Sequence, residues 1–261
     1  MPAINDAKTV EKQYENAQGL KIRMELHRKY SLNQQPYAEW IAQHYHIQPG
    51  MRVLELGCGT AEIWKAPECY LPDDASLLLT DLSEGMLCTA RGNVAMRANI
   101  SFAQVDIQAI PYADSSFDLV IANAMLYHVP DIAKALSEVA RVLKPGGRFI
   151  CSTSGNNSIA SWLVDVLGAG DARILPFSLQ NGGAQLKRHF ARVEMHMRED
   201  ALAVTDVRDL VAYVRSTASF AWVRNWPECE LERLLDQQSV GGAIRIPKEY
   251  GLFIAHVGEK E

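Results

Sequence analysis

Short aliphatic runs alternate with amphipathic stretches through the middle of the chain. "MRVLEL" (51–56), "SLLLTD" (76–81), "ISFAQVD" (100–106), "FDLVIAN" (117–123) and "RFICSTS" (148–154) each read as a strand. Several are almost continuously apolar, which suits strands covered on both faces. Helical signals lie between them. Thr60 to about Cys69 predicts a helix ending near Pro67, and Ser83 predicts the cap of a helix reaching about Met96 with Glu84 in its first turn. Asp131 predicts another cap: Ile132, Ala135, Leu136, Val139, Val142 and Leu143 follow at helical spacing until "KPGG" (144–147) stops them. Strands alternating with helices predict a doubly wound, mostly parallel sheet with right-handed crossovers. Ligands in such sheets bind beyond the carboxyl ends of the strands, so chemistry is expected just after each one.

The flanks are less regular. Residues 1–18 are polar, and residues 20–46 carry Leu20, Met24, Tyr37, Trp40, Ile41 and Tyr45 at near-helical spacing, broken near "SLNQQP". "FARVEMHM" (190–197) and "YGLFIAHV" (250–257) read as late strands that end the sheet as a hairpin. Between them Thr205 predicts a cap for a helix bearing Val207, Leu210, Val211 and Val214, and "SFAWVRNWPECELERLLDQQ" adds a further helix. This organises one domain: a helical cover (1–46), a central core (47–155), and the rest of the sheet with a helical lid between its last two strands (156–261).

Composition narrows the partners. The 261 residues carry a net charge of −5, which disfavours a general nucleic-acid binder. Five cysteines, none spaced as C-x-x-C, read as reduced thiols rather than a disulfide framework or zinc site. The first residues lack the apolar stretch of a signal peptide, and no apolar run approaches the ~18 residues of a membrane span. A cytoplasmic protein with no membrane or metal partner is expected, as a monomer or homodimer.

The sharpest motif is "VLELGCGTAEIW" (53–64). A phosphate-binding P-loop needs Gly-Lys-Ser/Thr, and here Thr60 and Ala61 follow Gly59. A dinucleotide loop wants a third glycine where Glu62 stands, and Glu55 and Glu62 would both repel a pyrophosphate. A ligand with positive charge and no phosphate suits the acids, and two glycines let the backbone approach it. S-adenosylmethionine has that chemistry. A tight strand-to-helix turn with no ligand uses the same two glycines. Residues after the next strands add weight to a nucleoside. Asp81 lies near the ~20-residue spacing at which an acid binds ribose hydroxyls. Asp106 can accept from an adenine amino group while Ile107 packs on the ring, and Asn123 can offer its carbonyl to an ammonium.

Together, "VLELGCGTAEIW", "LLLTDLSEGMLCTAR", "QVDIQAIPYADSSFDLVIANAMLYHVPD" and "EVARVLKPGGRF" resemble the class I S-adenosylmethionine-dependent methyltransferases, closest to a small-molecule, quinone-biosynthesis-like branch. The resemblance covers roughly residues 45–155. It implies a seven-stranded Rossmann-like sheet and S-adenosyl-L-methionine as cofactor. Glu55, Gly57, Cys58 and Gly59 would form the methionine-side loop, Asp81 would hold the ribose, and Leu82 and Met86 would lie against adenine or ribose. Asp106 and Ile107 would read the adenine, and Asn123 would begin the segment facing the methyl group. One departure is visible: Ala61 stands where members usually have a third glycine. Tyr30 is the cover residue expected to bond the methionine carboxylate, or else to face the core of the cover helix.

Methyl transfer is an in-line displacement, and the acceptor would come from beyond strands four and five. His128 there is of a residue type whose unperturbed pKa lies near neutrality, which suits a general base, or else it packs beside the pocket. Tyr127 is a wall or hydrogen-bond donor. Arg173, Arg215, Arg224 and Arg245, if turned inward, would suit a flat or anionic acceptor. The expected reaction is methylation of O, N or C of a small metabolite. A tRNA or protein methyltransferase, or a cofactor-binding protein without turnover, remains open.

Overall fold

The computed structural model describes residues 18–67, 69–94, 97–168 and 175–258. The polar start of the chain and Arg173 lie outside the described residues, and the helix expected to reach about Met96 ends at Asn93, where Val94 is extended. The strands are β1 (Arg52–Leu56), β2 (Ser76–Asp81), β3 (Ile100–Gln104), β4 (Phe117–Asn123), β5 (Leu143–Ser154), β6 (Arg192–Arg198), β7 (Ala201–Val204), β8 (Ile244–Pro247) and β9 (Tyr250–His256). Seven of them form one sheet in the order β3-β2-β1-β4-β5-β9-β6, and β7 and β8 form a small separate ribbon. β1 to β5 run parallel, and β9 runs antiparallel to both β5 and β6. Strand order reverses between β1 and β4, where such a sheet opens a crevice at its carboxyl edge.

The helices are α1 (Gln18–Tyr30), α2 (Tyr37–Ala42), α3 (Glu84–Asn93), α4 (Ile132–Val142), α5 (Ile159–Leu167), α6 (Gly182–Leu186), α7 (Val207–Ser216) and α8 (Glu228–Asp236). Two cores cover the central sheet. Leu54, Val120 and Phe149 pack with Leu136 and Val139 of α4 on one face. Val53, Leu79, Ile121 and Ile150 pack with Ile41 of α2 and Leu87 of α3 on the other. Each such leucine or isoleucine removed from water contributes about 1.5–3 kcal/mol, which is why the strands are apolar almost throughout. A third core joins distant parts of the chain: Leu26 and Tyr30 of α1, Leu163 of α5, Leu210 and Val214 of α7, Leu231 of α8, and Leu202 and Ile246 of the ribbon. This third core is the body of a cap built from both the N-terminal and C-terminal segments.

Caps form where side chains can reach bare amides. Ser83 Oγ accepts from the N–H of Met86 at 3.2 Å, and Asp131 Oδ1 from that of Lys134 at 3.0 Å. Three expectations differ from the structure. The segment after Thr60 makes only a short 3-10 turn, Glu62–Lys65, because Ala61 is left-handed (φ 52°) and Pro67 follows closely. The cap of α7 is Asp206, not Thr205. β5 starts at Leu143, with the Lys144–Gly147 stretch at its head and a register shift against β4.

Candidate active site

The carboxyl ends of β1, β2 and β4 bring most of the sequence-predicted residues together. β1 ends in a turn with three positive φ angles: 68° at Gly57, 56° at Gly59 and 52° at Ala61. A side chain on Gly57 would also meet Met125, since an added Cβ would lie 2.9 Å from Met125 Cγ. Ala61 keeps the left-handed turn without the third glycine, at a cost of roughly 1–2 kcal/mol, while its buried methyl packs in the core.

The loop is clamped to the next strand. Cys58 N–H donates to the Thr80 carbonyl at 2.8 Å, and Gly59 N–H to Asp81 Oδ2 at 2.9 Å. Asp81 Oδ1 accepts from Ser83 N–H at 2.8 Å. Burial raises the Asp81 pKa, and these N–H groups work against the rise. Each carboxylate oxygen has two acceptor sites, so Asp81 retains capacity for hydroxyl donors. Burial pushes the Cys58 thiol well up, so it stays protonated.

Glu55 lies beneath the loop, 1 % exposed. It accepts from Trp64 Nε1, and from Asn123 Nδ2 at 3.0 Å. Burial raises its pKa to about 7; the two N–H donors lower it and nearby Asp81 raises it further. Asn123 ends β4 and is held by three side chains. Its Nδ2 also donates to Tyr45 Oη at 2.8 Å, and its Oδ1 accepts from Ser152 Oγ at 3.3 Å. The amide thus faces Glu55, Tyr45 and Ser152. The next residue, Ala124, is again left-handed (φ 51°), and its N–H donates to the Ser152 carbonyl at 3.0 Å. A second cluster of hydroxyls adjoins: Tyr37 Oη lies 2.9 Å from Ser152 Oγ and 3.3 Å from Tyr250 Oη. Tyr37, Tyr45, Trp64, Ser152 and Tyr250 went unremarked as site residues in the sequence. Their only signal was aromatic and hydroxyl residues at strand and helix ends.

The other predicted residues fall as follows. Leu82 is half-exposed, and Gln104 Nε2 donates to its carbonyl at 2.7 Å. Met86 is fully enclosed in protein. Asp106 Oδ1 accepts from the backbone N–H of Gln108 at 2.8 Å, and Ile107 is buried against the core that holds Leu126. Tyr127 and His128 lie on the 3-10 turn after β4 with their rings edge to face, 4.6 Å apart. Tyr30 does not reach the glycine loop. It is ten residues along α1 from Leu20, which lies over Gly59, and ten helical residues span ~15 Å. Its hydroxyl bonds Asp209 in the cap at 2.7 Å. Of the arginines, Arg215 caps the carbonyls of Val223 (2.7 Å) and Trp226 (2.5 Å), and Arg224 and Arg245 are exposed.

Among the described residues, no group of three or more His, Cys, Asp or Glu is placed to hold a metal ion. No described helix is long and apolar enough to cross a membrane.

Residues 54–151 match a family model described as a methyltransferase domain. A demethylmenaquinone methyltransferase of Symbiobacterium thermophilum is 36% identical over 118 residues, 44% of this chain and 47% of that protein. The ubiquinone/menaquinone biosynthesis C-methyltransferase UbiE of Escherichia coli O1:K1 / APEC is 30% identical over 162 residues, 60% of this chain and 64% of its own length. The chain spans about half the length of most of the curated relatives it matches. Among solved structures, Haemonchus contortus phosphoethanolamine N-methyltransferase 2 with S-adenosyl-L-methionine superposes with a TM-score of 0.62 at 15% identity, covering 99% of this chain and 61% of that one. The [4+2]-cyclase SpnF superposes at 0.59 and 15% identity, covering 100% and 99%. At such identities the likeness is one of fold, and one fold serves different reactions.

Proposed function

We propose, for a chain whose residues 54–151 match a methyltransferase-domain model, that it binds S-adenosylmethionine at the carboxyl edge of β1–β4 and methylates O, N or C of a small metabolite. The observation that carries this reading is the clamp between Gly59 N–H and Asp81. It joins the glycine turn to an acid that still has acceptor sites for ribose hydroxyls. Glu55 and Asp81 fit the group as well: one buried and one half-buried carboxyl side by side disfavour pyrophosphate and favour a cationic ligand.

Gly57, Cys58 and Gly59 would present backbone to the methionine side, above Glu55 and Asn123. Asp81 would take the ribose, with Leu82 and Met86 beside the nucleoside, and Asp106 and Ile107 would take the adenine. Tyr30 serves the cap that encloses the site, through its bond to Asp209. The bound cofactor supplies an electrophilic methyl group, and the protein supplies position and exclusion of water. The cap of α1, α7 and α8 would close over the acceptor. His128 would take a proton from a hydroxyl or carbon acid, with Tyr127 as its neighbour in the wall. Relatives named as quinone-biosynthesis enzymes favour a small, flat acceptor.

Titration calorimetry with S-adenosylmethionine, S-adenosylhomocysteine and NADH tests the reading. Micromolar binding of both adenosyl ligands, at least tenfold weaker in Asp81→Ala, is expected. Binding of NADH alone, or of none, refutes it. Labelled methyl transfer into metabolite, RNA or protein fractions then separates a small acceptor from a macromolecule, and no transfer marks a binding protein without turnover.

A further inference from the structure

The arginine at the acceptor edge is one the sequence did not single out. Arg198 ends β6 and pairs with Tyr250, which pairs in turn with Ser154 at the carboxyl end of β5. It is 4 % exposed, its guanidinium lies 5.8 Å from the Trp40 ring centre, and its Nη2 donates to the Gln35 carbonyl at 2.6 Å. Its Nε and Nη1 are buried and have no hydrogen-bond partner among the described residues. Lys248, just before β9, is a second enclosed cation. Among the described residues, Asp200 is the one carboxylate within ion-pair reach of both, 2.6 Å from Lys248 Nζ and 4.0 Å from Arg198 Nη2. It already accepts from Ser31 Oγ at 2.5 Å and from the N–H groups of Asn33 (3.1 Å) and Ala201 (2.8 Å). His27 adds no positive charge: burial first, then Lys248, holds its imidazole neutral, with a pKa of about 3. The cluster therefore holds one positive charge in excess. Buried charged donors left unpaired are strongly disfavoured, and native proteins almost always supply a partner.

The position of this surplus gives it a use. A run of hydroxyls leads from it toward Asn123: Tyr250 Oη to Ser152 Oγ at 3.3 Å, then Ser152 Oγ to Asn123 Oδ1 at 3.3 Å. We propose that Arg198, supported by Lys248, is the anion-binding subsite of the methyl acceptor, and that the acceptor is a flat small molecule carrying a carboxylate or phosphate. This rests on the methyltransferase reading and adds the substrate class to it. The nucleophile lies near β4 and β5, and the anionic group two strand spacings away, ~10 Å. That span suits a bicyclic acid better than a single small ring. The Gln35 carbonyl lies against the guanidinium, and residues 31–36 would move aside locally as the anion arrives. A charged oxygen displaces the neutral Gln35 carbonyl because charge-assisted hydrogen bonds are the stronger kind.

The test uses protein saturated with S-adenosylhomocysteine, titrated calorimetrically with 2-naphthoate, 1-naphthyl phosphate and neutral 2-naphthamide at constant ionic strength. At least one anion is expected to bind ten times or more tighter than the amide. Which anion it is identifies carboxylate or phosphate. That preference should vanish in Arg198→Met and Lys248→Met and partly return in Arg198→Lys, with S-adenosylhomocysteine affinity unchanged throughout. Wild-type protein that holds S-adenosylhomocysteine but shows no preference for either anion overturns the proposal, and this comparison needs no variant to fold. Loss of S-adenosylhomocysteine affinity in Arg198→Met also overturns it, since the guanidinium then serves the cofactor carboxylate. Wild-type protein that fails to bind S-adenosylhomocysteine overturns the methyltransferase reading instead.

Discussion

Glu55 should make the protein less stable as the pH rises from about 4.5 to neutrality. Its carboxyl has a pKa of about 7 in place of 4.5, chiefly because it is buried, with Asp81 adding to the rise. The folded protein therefore holds a proton that the unfolded chain has already released. Stability from this group is whole below about pH 4.5, falls through the window from 4.5 to about 7, and is gone above it. At ~1.4 kcal/mol per pH unit the full swing is about 3 kcal/mol. Glu55→Gln keeps the size and removes the titration. Asn123 can accommodate the new amide by turning its own, because its other neighbours, Tyr45 and Ser152, carry hydroxyls that both donate and accept. Urea denaturation of both proteins at pH 5, 6, 7 and 8 reads the effect as a difference. Groups common to both cancel, including His27, whose lowered pKa gives a slope of the opposite sign. From pH 5 to pH 8 the wild type should lose about 2–3 kcal/mol relative to the variant. A difference that stays flat across that range would show that Glu55 is ionised in the folded state, and the account of its burial would fail.

Two substitutions probe the backbone and the cap. Gly57→Ala forces a side chain into a left-handed residue (φ 68°) and against Met125. It should cost about 1–2 kcal/mol, read as a melting temperature lower by ~2–8 °C. An unchanged Tm would contradict the turn geometry. Asp200→Asn leaves Lys248 and Arg198 without their buried carboxylate and should destabilise by about 3 kcal/mol in urea. A loss below ~1 kcal/mol would place that carboxylate in water, as for an exposed pair.

The central strands were legible because burial on both faces leaves an unbroken apolar signature, as in Leu77 to Leu79 or Leu119 to Ala122. The caps at Ser83 and Asp131 were legible because their chemistry is local. Where neighbours compete, locality fails: Thr205 and Asp206 both suit a cap, and the carboxylate holds it. β7 and β8 have four residues each, too few for alternation to show. The glycine turn and Asp81 lie 22 positions apart, a spacing that the nucleoside-binding sheet itself imposes. No such rule joins Asp200 to Lys248, 48 positions away, or to Ser31, 169 away. Only the folded chain shows that Arg198 and Asp200 of "MRED" and Lys248 of "IPKEY" are enclosed, while Glu199 between the first two is exposed.

The place of β9 in the sheet has a consequence for synthesis. It lies between β5 and β6, both of which precede it in the chain. Until residues 250–256 have left the ribosome, β6 has no strand to pair with, and β5 lacks its outer neighbour. Lys248 and Tyr250, which complete the polar run beside the site, arrive in the same interval. The β1–β4 half, to which the proposed function assigns the nucleoside, can form early from near-neighbour contacts, whereas the half proposed for the acceptor waits for the long-range closure. A nascent chain would thus be able to hold a cofactor before it could enclose anything to methylate.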